Sequence, residues 1–413
     1  MGEQRFNRFI EAFNEDAPVS IRLNPLSAAW QCQAADKVPW CPEGYYLSGR
    51  PQFTFDPLFH AGCYYVQEAA SMFITHILRE LFTLHSSLFT LHSSLFTLHS
   101  SLSTVLDLCA APGGKSTAMR TVLPEGCTLV SNEPIPTRAQ ILLENITKWG
   151  WPDCIVTNNY PRDFRKAKAR FDLILCDVPC SGEGMFRKDP DSISEWSLQN
   201  VEKCWRLQRE IVADAWECLN PGGILIYSTC TYNIKENEEN VRWILDTYDA
   251  EALIIPTEPS WNITGSLLPD FDAPVYRFIP GLTRSEGLFM AVLRKGGGKD
   301  VTSSPPESGG ARGGLKNGSI LRMFRPPLTP PDSGGECARI GLSYQDALKY
   351  LRGEALVLPS DTPRGIVTVT YKGMPLGPVK NIGPRANNLY PKPWRIKTTH
   401  LPSEPPLILD QIV

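Results

Sequence analysis

A chain of 413 residues is long enough to bury a large sheet and leaves room for two or three domains. With 42% hydrophobic and 21% charged residues it has the make-up of an ordinary globular protein, which excludes global disorder. A net charge of −3 excludes a chain that is basic throughout, so any nucleic-acid-binding surface must be local. Twelve cysteines raise the question of disulfides or zinc. No CxxC pair occurs, three of the six histidines fall in one repeat, and the polar start Met1–Phe13 does not read as a signal peptide. Reduced, cytoplasmic thiols and no metal are therefore expected. No apolar run approaches the ~18 residues of a membrane span.

In chain order, Met1–Arg50 is a short amphipathic start followed by a strand at Val19–Pro25 (VSIRLNP) that carries a single Arg. The spacing of Ala69, Met72, Phe73, Ile77 and Leu81 predicts a helix over Tyr64–Glu80. LFTLHSS then occurs three times in register, at Leu81–Ser87, Leu88–Ser94 and Leu95–Ser101. Without flanking charges these short heptads make a poor coiled coil, and they read as a tandem-duplicated insertion in a surface connection.

From Thr104 the pattern alternates. Strands are expected at Thr104–Cys109, Thr128–Asn132, Cys154–Asn158, Phe171–Asp177 and Gly223–Thr229. Helices are expected at Lys115–Leu123, Pro136–Trp149, Trp196–Leu219 and Lys235–Tyr248, with Gly150 and Gly222 as stop signals. Alternation of this kind means an α/β fold with a parallel sheet covered on both faces. A hairpin, Val275–Ile279 and Gly287–Arg294, is expected to close its edge. The Pro- and Gly-rich stretch Gly296–Glu336 cannot bury enough apolar surface to fold and reads as a flexible linker. Beyond it, Cys337–Val413 regains strand-like runs such as Ile366–Tyr371. Over Arg339–His400, ten Lys and Arg stand against three acids, a local balance of +7, with Tyr371, Tyr390 and Trp394 interleaved. Such a module suits RNA, gripped at its phosphates and stacked at its bases; the alternative is a solvated basic surface. A linker with few cross-contacts would let the catalytic part fold without this module.

The stretch TVLDLCAAPGGKST, Thr104–Thr117, holds the first chemistry. It is a strand, a small-residue loop and a helix start, with the loop at the strand's carboxyl end where open α/β sheets bind ligands. Gly114-Lys115-Ser116 resembles the tail of a P-loop, but position 109, where that motif needs glycine, is Cys. With Asp107 before the loop and Glu133 after the next strand, the arrangement suits an adenosine cofactor without phosphates, for which S-adenosylmethionine is the candidate.

Two cysteines lie past the ends of later strands: Cys180 in DVPCSG (Asp177–Gly182) and Cys230 in YSTCT (Tyr227–Thr231). Either alone suits a core position. Together, in polar and small surroundings on the ligand side, they suit attack on a cytosine. Carbon 5 of that ring is too weak a nucleophile to take a methyl from a sulfonium unless a thiolate first adds at carbon 6. Asp177 could support protonation of the ring nitrogen, a second thiol could take the carbon 5 proton, and Lys115 is the nearest motif cation to lower a thiol pKa.

LDLCAAPGGKS, SNE, DVPCSGEGMFRKDP and PGGILIYSTCT resemble the Nop/Sun family of RNA 5-methylcytosine methyltransferases. VSIRLNP, VPWCPEGYYL and FDPLFHAGCYYVQEAASMF resemble its bacterial small-subunit rRNA methyltransferase F branch. The resemblance covers the chain except the repeat and the linker. It implies a Rossmann-like class I methyltransferase sheet, a small N-terminal α/β region and a C-terminal β-rich PUA-like domain. The division is then an N-terminal RNA-contacting region at 1–65, a methyltransferase domain at 66–295 with the repeat at 81–101, the linker at 296–336 and the PUA-like domain at 337–413. It further implies Cys230 as nucleophile and Cys180 as the thiol that assists release. S-adenosylmethionine would be held by Cys109, Ala110, Ala111, Pro112, Gly113, Gly114 and Lys115, with Glu133 on the ribose, Arg138 following it and Asp177 between cofactor and base. The family's usual Asp near the adenine is missing; Asn159 and Asp163 are both candidates there. The implied partner is RNA, 16S rRNA of the small ribosomal subunit, met by a monomer. A tRNA cytosine-5 methyltransferase and a non-catalytic RNA-binding assembly factor are the alternatives. An adenine-N6 enzyme is disfavoured because Asp177–Cys180 offers no aromatic to stack the base.

Overall fold

The computed structural model describes residues 2–27, 30–32, 36–87, 102–189, 191–297, 323–324, 338–398 and 400–411. The repeat beyond Ser87 and almost all of the 296–336 linker lie outside the described residues. Near the N-terminus, β1 (Val19–Leu23), β2 (Trp30–Cys32), β3 (Gly44–Leu47) and β4 (Tyr64–Val66) are short strands. β3, β1 and β4 form an antiparallel sheet, Ile21 facing Val66 across the β1–β4 pair. The expected helix over Tyr64–Glu80 is corrected accordingly. Tyr64-Tyr65-Val66 is a strand, because β1 offers it a partner, and the helix runs Phe73–Ser87.

The main sheet takes β5 (Thr104–Asp107), β6 (Thr128–Asn132), β7 (Cys154–Thr157), β8 (Phe171–Asp177), β9 (Leu219–Thr229), β10 (Ala250–Ala252), β11 (Tyr276–Phe278), β12 (Leu288–Lys295) and β13 (Met323–Phe324). Its order is β10-β12-β9-β8-β5-β6-β7-β13, with β11 paired to β12. β9, β8, β5, β6 and β7 run parallel, as the alternation requires. β12 lies antiparallel between β9 and β10, so the hairpin is one strand inside the edge and the short β10, absent from the sequence reading, forms it. Burial has the two-residue period of strands. Leu173, Leu175, Ile224 and Ile226 enter one core with helix Phe73–Ser87 and Gly114–Val122; Ile174, Cys176, Leu225 and Tyr227 enter the other with helix Leu198–Cys218. The chain order reverses at β5, flanked by β6 on one side and β8 on the other, and this opens a crevice at the carboxyl ends.

The C-terminal part forms a second sheet of β14 (Arg339–Leu342), β15 (Gly365–Tyr371), β16 (Met374–Asn381) and β17 (Ala386–Asn388), with helix Tyr344–Arg352 packed on it. The last strand, β18 (Leu409–Gln411), pairs with β2 of the N-terminal region. One apolar core holds Ile21, Trp30, Phe53, Leu58 and Tyr64 together with Leu348, Tyr350, Val369 and Tyr390. The expectation of a module with few cross-contacts is therefore overturned: N-terminal region and C-terminal sheet share a core. The aromatic part of the RNA reading is corrected too. Tyr371 and Tyr390 are buried in that core and Trp394 is half-buried beside Tyr390, so the first two are packing residues. The basic residues Arg364, Lys372, Lys380, Arg385, Lys392 and Lys397 do stand exposed.

Candidate active site

The crevice above β5 is a cleft of about 170 Å³, lined by Tyr65, Gln67, Asp107, the 109–115 loop and Asp177. Gly113 caps helix Gly114–Val122 in the left-handed region (φ 113), a conformation that favours glycine, and a Cβ there would crowd Leu142. The loop is pinned from both sides: Ala110 N–H donates to Asn132 O at 2.7 Å and Arg138 Nη2 to Ala111 O at 2.9 Å. The single Arg of the VSIRLNP strand proves to belong here. Arg22 is fully buried, donates to Thr117 Oγ1 at 2.7 Å and to Gln67 Oε1 at 2.8 Å, and stacks 4.4 Å from the Trp149 ring.

Two buried carboxylates leave oxygens without a hydrogen-bond partner among the described residues. Asp107 accepts from Ser116 Oγ at 2.6 Å through Oδ2, while Oδ1 is unpaired; burial pushes its pKa up to about 7. Glu133 accepts from Ile135 N–H at 2.9 Å through Oε1, and Oε2 makes no hydrogen bond although the Arg138 guanidinium lies 3.5 Å away. Orphaned carboxylate oxygens around a glycine-bearing loop fit the hydroxyl and ammonium donors of S-adenosylmethionine, so the donor set suits that cofactor. Glu133→Ala is expected to weaken S-adenosylmethionine binding by roughly 1.5–3 kcal/mol, the range for hydrogen bonds to charged groups. Titration calorimetry giving an unchanged affinity removes Glu133 from the site. Both candidates for the adenine contact lie beyond the end of β7. Asp163 Oδ2 caps the Tyr160 N–H at 2.9 Å, and Asn159 is buried against Asn132.

The two thiols meet. Cys180 Sγ and Cys230 Sγ are 3.2 Å apart, although β8 and β9 deliver them from chain positions fifty residues apart. Either sulfur can donate to the other in this contact; the proton shared between them holds Cys230 below the ordinary thiol range and Cys180 well above it. Lys115 also favours the Cys230 thiolate, but it is committed to Asp177, Nζ to Oδ2 at 2.8 Å. The cation singled out from sequence is thus a secondary influence on the Cys230 thiol, and the neighbouring thiol, whose proximity no spacing reveals, is the leading one. Asp177 Oδ1 accepts from Ser228 Oγ at 2.8 Å, fixing the carboxylate between loop and thiols.

Close backbone approach holds this pair. Gly184 N–H donates to Cys230 O at 2.7 Å, and a Cβ on Gly184 would overlap that oxygen and the Gly287 carbonyl. Gly184→Ala should displace the Cys230 loop and lower the rate at least ~100-fold, the cost of an ångström-scale misplacement. A rate within a factor of three of the parent would show that the loop tolerates the shift. Arg277 of β11 pairs with buried Glu238 and donates to Tyr232 O at 2.9 Å, steadying the same loop from the hairpin side.

A β9-β8-β5-β6-β7 parallel order with its cofactor loop after β5 and acids after β5, β6 and β8 defines a Rossmann-like, S-adenosylmethionine-dependent methyltransferase. The family model for 16S rRNA methyltransferase RsmB/F matches residues 97–294, that for the N-terminal domain of 16S rRNA methyltransferase RsmF residues 1–69, and that for the methyltransferase RsmF PUA domain residues 337–396. The chain belongs to the 16S rRNA methyltransferase RsmB/F family. It is 29% identical to the ribosomal RNA small subunit methyltransferase F of Cronobacter sakazakii, over 93% of this chain and 91% of that protein. To its counterpart in Serratia proteamaculans it is 34% identical, over 70% of this chain and 59% of that protein. A solved methyltransferase homologue from Pyrococcus horikoshii is similar at 26% identity and TM-score 0.55, covering 71% of this chain and 91% of that one. NSun6 of the same organism, at 18% identity and TM-score 0.53 over 71% of this chain and 95% of that one, shares the fold. Among the described residues no helix is long and apolar enough to cross a membrane.

Proposed function

We propose that the protein methylates carbon 5 of a cytosine in 16S rRNA through a covalent adduct, with Cys230 as nucleophile and Cys180 as the releasing base. The observation that carries this reading is the 3.2 Å thiol pair, close enough for the two sulfurs to share a proton, beside the Lys115–Asp177 pair. S-adenosylmethionine, held by the 109–115 loop and Glu133, supplies an electrophilic methyl group on a sulfonium. Cys230 adds to carbon 6, and the electron pair of the 5,6 double bond becomes available at carbon 5. Asp177 stabilises the charge that this places on the ring. Once Cys230 is a thioether, Cys180 passes its own proton to solvent; when carbon 5 carries the methyl, the Cys180 thiolate takes the carbon 5 proton, the double bond re-forms and the bond from Cys230 to carbon 6 breaks, returning Cys180 to thiol and Cys230 to thiolate.

The RNA is read as arriving through a second, larger cleft that joins the first at Val66, Gln67 and Glu68. Exposed Arg50 and Lys188 line it, with Arg284 paired to Asp36, and this phosphate-neutralising charge supports an RNA-contacting N-terminal region. The direct test is transfer of labelled methyl to isolated 16S rRNA, assembled small subunits and tRNA, followed by bisulfite sequencing. Expected is 5-methylcytosine at a defined 16S position. Label on tRNA alone, or on an adenine, overturns the assignment.

A further inference from the structure

Behind the thiols lie two buried acids that the chemistry above does not use. Glu183, on the Cys180 loop, accepts across the gap from Tyr232 N–H at 2.7 Å and Asn233 N–H at 2.9 Å, both on the Cys230 loop. Glu236, on the chain that follows Cys230, reaches back to Ser181 N–H at 3.0 Å. It also accepts from Gln208 Nε2 at 2.6 Å, and that amide nitrogen donates to Pro179 O at 2.9 Å. Asn233 Nδ2 bridges the two acids, 3.2 Å from Glu183 Oε1 and 2.8 Å from Glu236 Oε1. Glu183 is thus held by backbone donors of the opposite loop, and Glu236 by Ser181 of the opposite loop together with the Gln208 and Asn233 amides.

We propose that Glu183 and Glu236 are positioning residues, a reciprocal latch that sets the distance between the two thiols, and that Glu236 in particular holds Cys180 in place for the release step. The proposal rests on the two-thiol reading above. The asymmetry comes from the anchors. Cys230 follows directly on Thr229, the last residue of β9, which is paired on both sides by β8 and β12. Cys180 lies three residues beyond the end of β8; past the Val178 N–H to Ser228 O bond at 3.0 Å, its flanking backbone is tied by Gln208 Nε2 to Pro179 O, an amide that Glu236 itself holds, and by Ser181 N–H to Glu236. Loosening Glu236 therefore frees the base and leaves the nucleophile seated.

Glu236→Gln places an amide NH₂ against a ring of donors and breaks one strap without changing side-chain size. With an RNA that the parent methylates, the first turnover should fall less than threefold and steady-state turnover tenfold or more. A covalent protein–RNA band should accumulate on denaturing gels, as in a Cys180→Ala control. Asn233→Ala, at a half-buried position, should shift the same ratio in the same direction by about threefold, and carries the test if Glu236→Gln does not fold. Parent-like turnover without a band overturns the positioning role. So does an equal fall of first and later turnovers with a lowered melting temperature, the signature of a merely structural residue. A Cys180→Ala control that forms no band overturns the two-thiol reading itself, and the latch with it.

Discussion

Cys230→Ala is expected to lower methyl transfer by roughly 10⁴-fold or more, because in the proposed mechanism it removes the covalent nucleophile and leaves only binding and orientation. Cys180→Ala should behave differently. The nucleophile is intact, so one methyl is transferred, and the adduct then persists because no base takes the carbon 5 proton; loss of a positioned base costs roughly 10²–10⁴-fold in turnover. A pH profile separates the roles further. In the parent the hydrogen bond with Cys180 holds the Cys230 pKa down and Lys115 assists, while burial, Asp177 and Glu236 oppose. Deleting the donor destabilises the thiolate, so the rising limb of first-turnover rate against pH should move to higher pH in Cys180→Ala. Activity retained in Cys230→Ala, with loss and no adduct in Cys180→Ala, would reverse the two assignments.

The second large effect is structural. Removing residues 337–413 strips β18 from β2 and uncovers the shared core that contains Ile21, Trp30, Phe53, Leu58 and Tyr64. At roughly 1.5–3 kcal/mol for each large apolar side chain returned to water, the loss is on the order of 10 kcal/mol, comparable to the whole stability of a domain. Specific ties go with it, including Tyr344 Oη to Phe55 O at 3.0 Å. The truncated chain should therefore aggregate or lose its cooperative thermal transition, as calorimetry or near-ultraviolet circular dichroism would show. A soluble truncation with an unchanged transition and unchanged S-adenosylmethionine binding would mean that the N-terminal region is stabilised by the methyltransferase sheet alone, through Arg22 and its neighbours.

The central sheet was legible in the sequence because its strands are short apolar runs bounded by turn residues; Thr128–Asn132 and Phe171–Asp177 match to the residue. What defeated the reading was non-local. Tyr64–Val66 carries apolar residues at a spacing a helix also satisfies, and only pairing with β1 makes it a strand. The basic C-terminal stretch announced RNA, but its aromatics were needed to fill a core whose other half lies more than 300 residues earlier. In the site, the loop, Glu133, Asp177 and both cysteines could be found as types at strand ends. The 3.2 Å thiol contact could not, since it depends on the register of β8 against β9. No motif or spacing in the sequence singles out Glu183 or Glu236, and only their burial and partners bring them into the site. Arg22 gave a faint signal, a charged residue inside an apolar strand.

The most direct measurement is to isolate the Cys180→Ala protein–RNA adduct formed with S-adenosylmethionine, digest both components and sequence the cross-linked peptide by mass spectrometry. The account predicts a methylated cytidine attached to the peptide containing Cys230, and none when Cys230 is also replaced. A nucleotide attached at any other residue, or an adduct that forms equally well without Cys230, would contradict it.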